Sequence, residues 1–330
     1  MKNLTKILLS LFILSGIKPG TDVLAQTSDT TTLSAQFSDT TYLPSRGNHV
    51  FTSISSVEDP FVSTKFLLNL GMAELLEVEI PITLGELDTT LTFQPEIFYA
   101  TAGADFQFQI RDWAAVFIKM YGIARMGNNL LSLASEGVSS ASTFNIGWLF
   151  RIAENENLMF SGTIALTTAD LTFMDILADE DTVITSIDTL VNREVFKSYQ
   201  SLTTTTDLRF AMKFSDVVGL LAKLEGAYGE VYAGESESSF QYNLGLAFSI
   251  DLRNWIGIPF GIGIGGSMFS NEWRYSEAKP PVYSANLNIA FYNRNDFTVG
   301  IENYLQVIEP QQYEQTLSMM YTRFYMSYYF

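Results

Sequence analysis

The sequence predicts an all-β chain that closes into a transmembrane, antiparallel, up-and-down β-barrel of about twelve strands. Three observations predict it. From about residue 104 onward, long segments alternate with a period of two, apolar side chains on one parity and Gly, Ser, Thr, Asn, Gln, Ala and single charges on the other. Short turns and long polar connections alternate along the chain, as they do in barrels that cross a membrane. The composition is 47% apolar and 14% aromatic but only 17% charged, where soluble domains carry about a quarter.

The same arithmetic removes other classes. A formal charge of −17 opposes binding to nucleic acid, which needs clustered Lys and Arg. With no Cys, disulfides, thiolate metal sites and Cys nucleophiles are excluded. The most apolar window, residues 255–269, carries Pro259 and five Gly, so it does not read as a spanning helix.

Taken in order, Lys2 and Lys6 give a positive start, residues 7–17 an apolar core, and Val23-Leu24-Ala25 a small-residue cleavage pattern. Residues 1–25 therefore read as a signal peptide. Residues 26–61 form a polar N-terminal extension rich in Thr and Ser, with Pro44 and Pro60 and little periodicity; it is expected to lie in the periplasm or inside the lumen as a plug. The barrel is expected over 62–330, with strands at 62–72, 103–111, 114–126, 141–151, 157–168, 203–214, 217–229, 239–251, 255–269, 281–292, 297–308 and 316–330. Residues 73–102 leave room for one more hairpin, which would bring the count to fourteen. Leu208, Phe210, Met212 and Phe214 illustrate the apolar parity, with Asp207, Arg209, Ala211 and Lys213 opposite. A soluble sandwich would instead place charge on its outward face. Turns are expected at 111–113, 154–157, 215–216, 253–254 and 294–296, with longer connections at 128–140, 171–202, 232–238, 271–280 and 309–315. Trp113, Trp255 and Trp273 fall beside turns or loops, where an interfacial girdle accounts for them. Asp179, Glu180 and Asp181 in the longest loop read as solvated, since no Asp-x-Asp-x-Asp-Gly pattern marks a calcium site.

The closing strand, residues 321–330, ends on an alternating series of Phe324, Met326, Tyr328 and Phe330. It resembles the terminal strand of bacterial outer-membrane β-barrel proteins. That resemblance implies that these four residues form the barrel-assembly signal read by the barrel-insertion machinery, that the partners include outer-membrane lipid, and that the chain resides in the bacterial outer membrane. It covers about residues 60–330 at the level of architecture and points to no functional family.

For function, the apolar parity placed outward puts Lys65, Arg111, Lys119, Arg125, Arg151, Arg209, Lys213, Lys223 and Arg323 inside, together with Asp207, Glu225, Asp251 and Glu302. A basic lining favours a narrow, porin-like channel or binding barrel for transport of a small solute, anions preferred. The alternative is a structural or interaction barrel whose lumen is filled by ion pairs and whose external loops bind a partner. Gly257, Gly261, Gly263 and Gly265 form an inward column that either curves the wall or makes a groove for the extension. The single His, His49, lies in the extension; no spanning strand offers a His base and Ser45 has no oriented partner, so no catalytic residues, cofactor or metal are expected.

Overall fold

The computed structural model describes residues 43–76, 80–84, 89–93, 97–126, 137–174, 196–230, 238–270, 281–308 and 317–330. The expected signal peptide, most of the first half of the extension, Trp273 and most of the long connections, including Asp179 to Asp181, lie outside the described residues.

Sixteen strands follow in chain order: β1 Ser45–Arg46, β2 His49–Val50, β3 Lys65–Leu76, β4 Ile80–Leu84, β5 Thr89–Phe93, β6 Ile97–Arg111, β7 Ala114–Met126, β8 Gly137–Glu154, β9 Leu158–Met174, β10 Phe196–Lys213, β11 Val218–Glu230, β12 Ser238–Asp251, β13 Phe260–Phe269, β14 Val282–Arg294, β15 Phe297–Ile308 and β16 Leu317–Tyr329. Twelve of them, β3 and β6 to β16, form one closed antiparallel barrel. It closes between β16 and β3, from Tyr329 opposite Lys65 to Ser318 opposite Leu76. The room left in 73–102 holds a hairpin, but β4 and β5 pair only with each other and stay out of the barrel ladder. Twelve, not fourteen, strands therefore close the wall.

Strand β13 begins at Phe260 rather than 255. A single helical turn, α1 Arg253–Ile256, precedes it and ends on Gly257 at φ 73°. Pro259 supplies no N–H to a ladder, so the strand cannot extend back through it. Gly257 thus belongs to a helix cap that needs the left-handed region, not to the inward glycine column.

The two parities behave as the alternation requires. Phe66, Leu70, Phe108, Trp148, Leu208, Phe248 and Phe324 point outward and are exposed, whereas Asp207, Arg209, Lys223, Asp251 and Glu302 point inward and are buried. Exposed apolar rings around buried charges invert the distribution of a water-soluble domain. An outer surface of this kind is stable where the surrounding medium is hydrocarbon.

The lumen is not hollow at its lower end. Here the end that carries the short turns is called the turn end. Residues 43–64 enter there, rise inside the wall, and descend to start β3. Two-residue strands β1 and β2 make a small hairpin turning through Gly47, whose φ is 52°. Phe51, Ile54, Val57 and Phe61 from this segment pack with Met159, Ala211, Leu221 and Ala247 of the wall. Leu43 and Val50 pack with Ala290, Tyr292 and Tyr329. The apolar core at the turn end is thus the contact between this inner segment and inward side chains of the wall, each large buried group contributing about 1.5–3 kcal/mol.

Glycines make that contact fit. A Cβ on Gly245 would lie 2.6 Å from Val57 Cγ2, one on Gly219 2.5 Å from Phe51 Cε1, and one on Gly263 2.7 Å from the Thr52 carbonyl oxygen. Gly261 is equally tight, with Thr52 Oγ1 at 1.9 Å. Gly265 differs, because its crowded neighbours are Leu246 O and Ala247 of the adjacent strand. Gly261 and Gly263 of the predicted column, joined by Gly219 and Gly245, form the groove for the extension.

Candidate functional site

Twelve of the thirteen candidate lining residues sit on inward positions of the barrel register. Arg111 does not. The ladder shifts by a bulge between Gln109 and Arg111, next to the turn, and Arg111 is exposed there. A bulge breaks the parity on which its inward placement rested.

The inner segment organises most of the others. Glu58 sits at its tip, where Lys119 from β7 donates to Oε2, Arg209 Nη1 from β10 lies 2.7 Å from the same oxygen, and Lys223 Nζ from β11 lies 3.8 Å from Oε1. Burial opposes ionisation of Glu58, but Arg209, Lys119 and Lys223 together outweigh it and hold the carboxyl well below its ordinary value of 4.5. Lys119 and Lys223 each stand five residues in from the turn-end start of their strands. At strand rise and barrel tilt this puts the tip about 12 Å above the turn end.

The remaining ion pairs brace the wall. Arg209 is clamped by Asp207, Nε to Oδ1 at 2.9 Å and Nη2 to Oδ2 at 2.8 Å. Lys223 meets Glu225 at 2.5 Å, and Lys65 donates to Asp59 at 2.8 Å. Arg323 donates twice to Glu302 Oε2, at 3.0 and 2.7 Å, while the other oxygen of Glu302 accepts from Ser55 N, Ser55 Oγ and Asn286. At the turn end Asp251 accepts from Val50 N at 3.0 Å and from Tyr292 OH at 2.6 Å. Lys213 pairs with Asp216, and Arg151 and Arg46 share Glu154. Arg125 lies over the Tyr99 ring, 5.9 Å from its centroid, higher in the barrel.

Three acids absent from the sequence reading change the balance. Glu58 and Asp59 come from the extension, and Asp105 faces Lys119 across the β6–β7 ladder. The signal for Glu58 and Asp59 lay in the run 51–61, where Phe51, Ile54, Val57 and Phe61 recur every three or four residues around the two adjacent acids. That spacing is neither a strand nor a long helix; it is a chain packing one side against a curved wall.

Higher in the lumen, the Tyr304 and Tyr321 rings lie tilted against each other with centroids 4.9 Å apart, and Tyr321 packs against the Ala73, Ile97 and Tyr99 cluster. Buried amide oxygens of Asn69, Asn145 and Asn243 have no hydrogen-bond partner among the described residues. Each is an acceptor that calls for water or a donor from a solute. His49 is sealed at the turn end, edge-on to Phe51 at 4.5 Å with Nδ1 3.3 Å from the Asp216 carbonyl. Burial lowers its pKa, against the pull of the Asp216 carbonyl and Asp251. Among the described residues no three carboxylate or imidazole side chains gather as a metal ion requires.

No protein-family model matches the sequence, and no curated protein matches it either. Among solved structures, an outer membrane channel from Pseudomonas putida F1 superposes with a TM-score of 0.50 over 84% of this chain and 100% of that one, at 7% identity. The fold is that of a bacterial outer-membrane β-barrel. A Pseudomonas aeruginosa FadL homologue and the transport unit of the Escherichia coli autotransporter AIDA-I also align with this chain. Their TM-scores are 0.44 and 0.45, at 8% and 10% identity, covering 83% and 84% of this chain and 95% and 93% of theirs.

Proposed function

We propose that this chain is an outer-membrane barrel that binds and passes a small solute, and that residues 43–64 hold the passage shut in the state described. By the rule that short turns face the periplasm, the seal lies at the periplasmic end. The upper lumen, lined by Tyr, Asn and Arg, is then the chamber a solute meets first. In this reading the chain resides in the outer membrane with lipid around the apolar face, and Phe324, Met326, Tyr328 and Phe330 serve as its assembly signal.

The observation that carries this reading is how the seal is attached. Its backbone is met largely by side chains of the wall: Val50 N donates to Asp251, Thr52 N to Ser249 Oγ at 2.8 Å, and Ser55 N to Glu302. Ser161, Gln107 and Asn288 in turn donate to the carbonyls of Pro60, Phe61 and Ser53. Neither β1 nor β2 joins the barrel ladder. Contacts of this kind exchange with water or solute without breaking the barrel, whose own ladder is complete.

One observation favours the filled barrel instead. Phe51, Ile54, Val57 and Phe61 together bury enough apolar surface to hold the seal by about 6–12 kcal/mol. Liposome swelling separates the two readings. Removal of residues 43–61 is expected to admit small sugars and organic anions that the intact chain excludes or admits slowly. A deletion variant that folds as a barrel yet admits nothing overturns the passage reading.

A further inference from the structure

The tip of the seal ends in a site built for a carboxylate. Arg209 and Lys223, which face each other on the adjacent strands β10 and β11, and Lys119 from the separate strand β7 converge on one carboxyl group, that of Glu58. Two of the three are fixed before Glu58 arrives. Asp207 takes Nε and Nη2 of Arg209, which leaves Nη1 aimed at the tip, and Glu225 anchors Lys223. Asp105 faces Lys119 on the neighbouring strand, so the cluster is close to neutral once Glu58 leaves and its wall does not blow apart. The Arg209 and Lys223 side chains are 4% and 7% exposed, whereas Glu58 keeps 31%. The ligand is therefore more accessible than the groups that bind it.

Charge-assisted donors in such an arrangement select for geometry as well as charge. Arg209, its planar edge held by Asp207, points Nη1 at one oxygen, Lys119 adds a point charge to the same oxygen, and Lys223 adds one near the other. A chloride ion offers these donors a single centre; a carboxylate offers two, one oxygen toward Lys119 and Arg209 and the other toward Lys223.

We propose that Lys119, Arg209 and Lys223 form the carboxylate-binding site of the lumen, and that Glu58 occupies it as an internal stand-in. A carboxylate-bearing solute entering from above competes with Glu58 and loosens the tip of the seal, residues 55–61, rather than the whole segment. This rests on the passage reading for its meaning, since it names the class of solute that the passage would serve.

The test uses the full chain in detergent, with succinate as the probe and barrel folding checked by circular dichroism. By calorimetry, Glu58→Gln should bind succinate about tenfold more tightly than the unaltered chain, because the competing charge is gone while the donors remain. Adding Lys119→Gln to that variant should return the affinity to the original level. A folded Glu58→Gln chain that binds succinate no more tightly overturns the proposal. Should Glu58→Gln fail to fold, the unaltered chain decides by hydrogen exchange over residues 55–61. Faster exchange in succinate than in chloride at equal ionic strength supports the proposal, and equal exchange overturns it. The swelling experiment on the 43–61 deletion is independent of this one. Passage through the deletion variant with no succinate preference in Glu58→Gln sinks only the carboxylate site. Tight succinate binding with no passage sinks only the conduit.

Discussion

Replacing Gly263 by Ala changes the wall alone, so any effect on residues 43–64 must travel through contact. The new Cβ would lie 2.7 Å from the Thr52 carbonyl oxygen and 3.1 Å from Ile54 Cγ2. A backbone oxygen cannot rotate aside, so the seal must shift by several tenths of an ångström. That shift strains the Thr52 N to Ser249 bond at 2.8 Å and the Asn288 to Ser53 carbonyl bond at 2.6 Å. Overpacking of this size costs about 1–3 kcal/mol. The apolar contacts holding the seal are worth about 6–12 kcal/mol, so it stays in place. The outcome is easier local opening, with amide exchange over residues 50–57 faster by about 5- to 150-fold while the ladder of β7 and β8 is unchanged. Hydrogen-exchange mass spectrometry on the two proteins reads this directly. Unaltered exchange over 50–57 in a folded variant would refute the placement of Thr52 and Ile54 against β13.

Other perturbations follow from the same contacts. Glu302→Gln leaves Arg323 without its carboxylate in a pair that is fully buried on the Glu302 side and 25% exposed on the Arg323 side; a loss of about 2–3 kcal/mol is expected, read as easier opening around Ser55. His49 is neutral when seated because burial lowers its pKa, so its share of the hold is complete above its ordinary value of 6.5. That share is lost as pH falls from there toward the seated value. Exchange over 47–52, corrected for intrinsic rates, should therefore quicken between about pH 7 and pH 5, and His49→Gln should flatten the slope. Glu58 works in a lower window, its hold complete above 4.5 and lost as pH falls toward its depressed value. Deletion of Phe330, whose N–H donates to the Thr64 carbonyl at 2.9 Å, should reduce the amount of barrel recovered in the outer-membrane fraction.

The wall was legible in the sequence because lipid imposes one rule on every strand. Phe106, Phe108 and Ile110 had to face outward, and Gln107 and Gln109 inward, whatever the barrel contains. The rule fails where a bulge adds a residue, as at Arg111, and where Pro259 delays β13. The interior is harder because no single rule governs it. Thr52, Ser55 and Ser56 look like an unstructured polar leader until Ser249, Glu302 and Asn286 are seen to receive them. Inward bases could be found by parity, but their partner Glu58 lies in another part of the chain, and only the closed barrel brings it to them.

The seating of residues 43–64 inside the membrane-inserted barrel is best tested by a disulfide, since the chain has no Cys of its own. A Cβ on Gly261 would lie 3.2 Å from Thr52 Cβ, close to the separation of about 3.5–4.5 Å that a disulfide spans. In vesicles carrying Thr52→Cys with Gly261→Cys, the account predicts that the two thiols join on mild oxidation and escape a soluble maleimide. Two thiols that stay separate and are both labelled would place the segment outside the lumen and contradict it.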